Sequence, residues 1–129
     1  MRIVQAAAAL VLGAFFAFVG WMKTFAPVAL LAEHHAWTVW LPESLGRIVG
    51  VSELGCAAAL VVPIAFGRFA AVQRTSALIL IVNQLVAAGF HAAHGEAGAL
   101  PQNAVLIALL VFVAAAAPNR TNQRKGEDG

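Results

Sequence analysis

A carboxylate stands inside a hydrophobic run. Residues 45–66 are long and apolar enough to cross a bilayer, yet Glu53 lies well within them. The hydrocarbon core admits backbone only as helices or closed barrels, because an unpaired N–H or C=O there costs several kcal/mol. An ionised side chain at the centre of a spanning helix costs about 2.5–3.5 kcal/mol on insertion scales, so such residues face a protein interior and a partner. The run therefore needs other helices around it. One of them has to bring a cation or hydrogen-bond donors to Glu53.

Composition supports the same class. Of the 129 residues, 61% are hydrophobic and 11% charged, against about 45–50% apolar and 25% charged in soluble domains. The chain reads as a one-domain integral membrane protein. Its formal net charge of +2 does not indicate nucleic acid, because the basic residues sit at the ends of apolar segments. Phosphate contacts need a solvated basic face. Cys56 is the single cysteine, which excludes an intrachain disulfide and a CxxC redox pair. It reads as a buried thiol.

Residues 3–22 form a first spanning helix of the required ~20 residues. Bulky residues from Phe15 to Met22 occupy the positions where a signal peptidase needs small ones, so the segment reads as retained. Lys23 closes it, and Phe25-Ala26-Pro27 ends it. Val28 to His35 is short and amphipathic, followed by Trp37 and Trp40. Tryptophan favours the headgroup level, which predicts a short interfacial helix between spanning helices one and two. His34-His35 reads as solvated loop rather than metal, since adjacent helical side chains diverge.

The second helix runs from Pro42-Glu43-Ser44 to Phe66, with Gly46 and Gly50 in a GxxxG spacing near the Glu53 face. After Gly67-Arg68-Phe69, and with Gln73-Arg74 preceding it, the third covers residues 75–94. It carries Asn83, Gln84, Ala87, His91 and His94 on one stripe. Leu78, Ile79, Ile81, Val82, Leu85 and Val86 form its lipid side. A glycine-punctuated turn leads to Pro101, suited to the first position of a helix. That fourth helix ends before Pro118 and carries Asn103 as its strong polar anchor. The expectation is an all-α, four-transmembrane-helix bundle over residues 1–118, with a disordered cytoplasmic tail over residues 119–129.

Four spans put both termini on one side. That side holds Arg2, Arg68, Arg74, Arg120, Arg124 and Lys125, against Lys23 and Arg47 on the other. The positive-inside rule then places both termini in the cytoplasm.

Side chains on a helix tilt toward its N-terminus. Lys23 therefore leans down into the membrane from the outer end of helix one. Glu53 leans up, from about 12 Å below the start of its helix at 1.5 Å per residue. His91 lies in the same outer half. The candidate site is a buried polar cluster of Lys23, Arg47, Glu53, Asn83, His91, His94 and Asn103. Two readings stay open: a structural ion pair that adds packing specificity, or a substrate, proton or quinone path. Bis-histidine haem ligation is disfavoured, because His91 and His94 share a helix. Inverted repeats and broken helices of a transporter are not evident, and no metal site is expected.

Several motifs occur in a fixed order. Gly13, Phe16-Ala17-Phe18-Val19-Gly20, Lys23 and Phe25-Ala26-Pro27 are followed by Gly50-Val51-Ser52-Glu53-Leu54-Gly55, Leu60 and Pro63. Then come His91 and Leu100-Pro101-Gln102-Asn103. Through them the chain, over residues 3–117, resembles the DoxX-like family of small four-helix membrane proteins. The resemblance implies a bacterial-type inner-membrane protein. Some members are associated with membrane oxidoreductase assemblies, including thiosulfate:quinone chemistry, and the broader group resembles a receptor chaperone of the animal endoplasmic reticulum. Three functions are therefore expected. The first is an accessory subunit binding a lipophile such as a quinone, or a membrane partner, through the polar cluster. The others are a quinone-linked oxidoreductase component and a membrane-protein assembly chaperone. Partners are the bilayer and a membrane protein or second copy.

Overall fold

A computed structural model describes residues 2–117, so the expected tail at 119–129 lies outside the described residues. Helix α1 spans Arg2–Phe25, the short α2 Val28–Glu33, α3 Glu43–Phe66, α4 Ala70–Ala93 and α5 Leu100–Ala116. A 3₁₀ turn at Trp37–Trp40 lies between α2 and α3, and another at Ala97–Ala99 leads into α5. Four of these helices are long and apolar enough to span a membrane. No strand occurs among the described residues.

The bundle closes around Leu12, Phe16, Leu60, Leu80, Leu110 and Val113, all fully buried or nearly so. Its outside is equally apolar: Val11, Phe18, Ile48, Val82, Leu85 and Val105 are exposed, as a lipid-facing surface requires. The expected lipid side of α4 is exposed except at Ile81, which packs against the core. Between α1 and α3 the contact is made by backbone. A Cβ on Gly50 would lie 2.7 Å from Thr24 N, and one on Gly20 would lie 3.0 Å from the Glu53 Cβ. Small residues let membrane helices approach this closely. The approach is what brings Lys23 beside Glu53.

The third spanning helix starts at Ala70, five residues earlier than residue 75. Gly67 ends α3 at φ 63°, and Phe69 at φ 71° opens α4 directly. Gln73 and Arg74 therefore sit inside the helix, and both have work at its end. Buried Gln73 donates from Nε2 to the Leu60 carbonyl at 2.8 Å and accepts from Gln5 Nε2 at 2.7 Å. Leu60 adjoins Ala59, the carbonyl that Pro63, lacking an N–H, leaves without its helical donor. Arg74 donates from Nε to the Ala114 carbonyl at 3.1 Å and from Nη2 to that of Ala117, satisfying carbonyls left open at the end of α5.

The connection from α1 to α3 contains the expected short helix, and its tryptophans pack inward against the end of α4. Trp37 is buried and stacks on Phe90 at 5.2 Å between ring centroids. Trp40 stacks on His94 at 3.9 Å. The segment folds back over the end of α4 and closes that end of the bundle.

Candidate functional site

Glu53 is fully buried on α3. Its Oε1 accepts from Lys23 Nζ on α1 at 2.7 Å and from Asn83 Nδ2 on α4 at 2.7 Å. Three helices thus converge on one carboxylate oxygen. Oε2 has no partner among the described residues. Lys23 is itself buried, with Nζ 5.7 Å from the centre of the Trp37 ring, within cation–π range.

The remaining expected site residues separate into neighbouring groups. Arg47 reaches back to α1, donating from Nη1 to the Lys23 carbonyl at 2.9 Å and from Nη2 to Glu43 at 3.2 Å. Asn103 donates to Gln84 Oε1 at 2.8 Å, joining α5 to α4, while its own Oδ1 is buried without a partner. His91 makes its hydrogen bond elsewhere, donating from Nδ1 to Glu96 Oε2 at 2.7 Å. His94 is exposed, donating to the Phe90 carbonyl at 2.8 Å beneath Trp40. It belongs to the aromatic cover rather than to the buried cluster.

Glu96 was not among the expected residues and is central to this end of the molecule. Its Oε1 lies 3.3 Å from His35 Nδ1, so one carboxylate ties the α2 loop to α4. The His91 hydrogen bond, with a smaller contribution from His35, holds the Glu96 carboxyl below its usual range. The signal for it was Gly95, whose φ of 75° reverses the chain and returns residue 96 toward the helix end.

Beneath the tryptophan segment lies a cavity of about 300 Å³ between α1, α4 and α5. Its polar wall includes Lys23, Trp37, Gln84, His91 and Asn103, and its apolar wall includes Phe15, Phe18, Val19, Met22 and Leu106. The volume is at the lower end of small-molecule sites, which pair an apolar lining with a few placed polar groups. Trp37 Nε1, a donor, and Asn103 Oδ1, an acceptor, are buried on residues of this wall and have no partner among the described residues. Such atoms cost free energy unless something hydrogen-bonds them. Trp37 and Gln84 were outside the expected site, because a loop tryptophan and a stripe glutamine carry no local motif. Among the described residues there is no group of three or more His, Cys, Asp or Glu arranged to hold a metal ion.

Comparison with curated proteins and with solved structures returned no match. The model of the DoxX-like family matches residues 7–113, which takes in α3 and α4, most of α1 and α5, the Lys23–Glu53 pair and the whole lining of the cavity, and the chain belongs to that family.

Proposed function

We propose that this DoxX-like membrane protein binds a lipophilic small molecule with a hydrogen-bonding head, a quinone being the class that fits, in the cavity beneath the tryptophan segment. The observation that carries the reading is the pair of buried, unpartnered atoms on its wall, Trp37 Nε1 and Asn103 Oδ1. A ring carbonyl would accept from Trp37 or from the Lys23 ammonium, and a reduced hydroxyl would donate to Asn103. Phe15, Phe18 and Val19 suit an apolar ring or tail arriving from the lipid. In this reading the protein is an accessory subunit. A chain with one cysteine and no nucleotide motif would receive or deliver electrons through a partner. Arg2, Arg68 and Arg74 lie at the end opposite the tryptophans, which supports an inner-membrane topology with both termini cytoplasmic.

Native mass spectrometry of the detergent-purified protein with decylubiquinone tests the reading. One retained adduct per chain is expected in wild type, weakened at least tenfold in Trp37→Phe and in Asn103→Leu while circular dichroism shows both variants folded. Equal retention in all three proteins, or none in wild type with ubiquinone or menaquinone analogues, would make the polar wall structural and point to a protein partner.

A further inference from the structure

Lys23 borders a second cavity. This one, of about 370 Å³, lies on the other side of the residue, between the start of α3 and the α2 loop. Thr38, Glu43 and Arg47 stand in its wall beside the apolar Val28, Val39 and Leu41, and it shares only Lys23 and Leu31 with the first cavity. Its rim is charged, with the Arg47 guanidinium pinned between the Lys23 carbonyl and the exposed Glu43 carboxylate. Charged groups at an opening hold water, because removing it from them is costly.

The buried polar atoms follow the same line. Four side-chain N or O atoms are buried without a partner among the described residues. Thr38 Oγ1 belongs to the wall of the second cavity, and Trp37 Nε1 and Asn103 Oδ1 to the wall of the first. Glu53 Oε2 belongs to the ion pair between them. An ammonium has three donors, and Lys23 gives one to Glu53. A water is held where it finds two to four polar partners, and around Lys23 the second cavity offers the unpartnered Thr38 Oγ1 together with Glu43 and Arg47.

We propose that the second cavity is an aqueous vestibule that opens the Lys23 side of the buried ion pair to water, independently of the lipophile cavity. Lys23 is then the one charged side chain common to the two cavities. A ligand in the first cavity that takes a proton from Nζ leaves a neutral amine, and a hydronium ion arriving through the vestibule returns the proton. No electron moves in this step. The charged and titratable groups around Lys23 are Glu53 on α3, Arg47 and Glu43 at the rim, and His34, His35 and His91 around the first cavity. Only the use of the proton rests on the ligand reading above. The water path stands without it, and its tests use no ligand.

Two measurements decide it. The first is mass counting of adducts with an anionic, membrane-impermeant methanethiosulfonate on Thr38→Cys in micelles, with the buried Cys56 retained as an internal control. One adduct is expected on the native protein and two in SDS, since thiols react as solvated thiolates. Should Cys56 also react in the native sample, Val39→Cys, on the same wall, is counted in a Cys56→Ala background. The second uses the fact that the chain has only two lysines, Lys23 and Lys125. In Lys125→Arg labelled with 15N-lysine, the Lys23 Nζ signal is expected to show its deuterium isotope shift within the dead time of transfer to D2O. A native protein that takes up no label at either position, or an Nζ protected for hours, overturns the vestibule. Fast exchange without labelling also overturns it, because the water would then arrive by another route.

Discussion

Glu53 concentrates its bonds on one oxygen: Lys23 and Asn83 both meet Oε1 at 2.7 Å. Removing one member of a buried pair leaves an uncompensated charge and costs about 3–5 kcal/mol, whereas replacing both by apolar groups is often near neutral. Lys23→Met and Glu53→Leu should therefore each lower unfolding free energy by about 3–5 kcal/mol, and the double variant should return close to wild type. Denaturant unfolding in micelles measures this. A double variant as unstable as the worse single one would show that the pair does not act as a unit. The opposition of Lys23 and Glu53 was legible in the sequence, because both lie on long helices of known direction whose side chains tilt toward their N-termini. The partner of His91 was not. Where Glu96 reaches depends on the reversal at Gly95, a loop conformation that helical periodicity does not encode.

At the scale of elements, the α1–α3 seam sets how near those two charges can come. Gly50→Ala would push a methyl to 2.7 Å from Thr24 N and 2.9 Å from the Gly20 carbonyl, both backbone atoms that have no rotamer to escape into. Overpacking of this kind costs about 1–3 kcal/mol. Gly89 on α4 has open space at its Cβ, so Gly89→Ala should raise stability by about 0.5–1 kcal/mol. Parallel melting curves of the two variants, shifted in opposite directions, would confirm the seam. A melting temperature of Gly50→Ala equal to wild type would refute it. The GxxxG spacing pointed to this face, and Pro101 and Pro42 marked two helix starts. Sequence reading placed the start of α4 five residues late because Gln73 and Arg74 look like surface residues. Their amide and guanidinium groups in fact serve carbonyls of α3 and α5, long-range needs that no local window contains.

For the molecule as a whole, one end is closed by a tie between distant loops. Glu96 holds His91 of α4 and His35 of the α2 loop, whose own φ of 56° lies in the left-handed region. Because the folded state lowers the Glu96 pKa, the carboxylate's contribution is fully present above its usual value near 4.5. It is lost as pH falls through the lower folded value. Wild type should therefore melt higher than Glu96→Gln at pH 6, and the gap should close as pH falls below the usual carboxylate value near 4.5. A gap independent of pH would mean that the tie is steric rather than ionic. The Lys23–Glu53 pair has a further consequence, for biogenesis. Its two residues are 30 positions apart on consecutive spanning helices. Chains emerge N-terminus first, so the cation is already waiting when the carboxylate leaves the ribosome. The first two spans can enter the bilayer as a neutral hairpin, and Glu53 need never meet lipid alone before Asn83 has been synthesised.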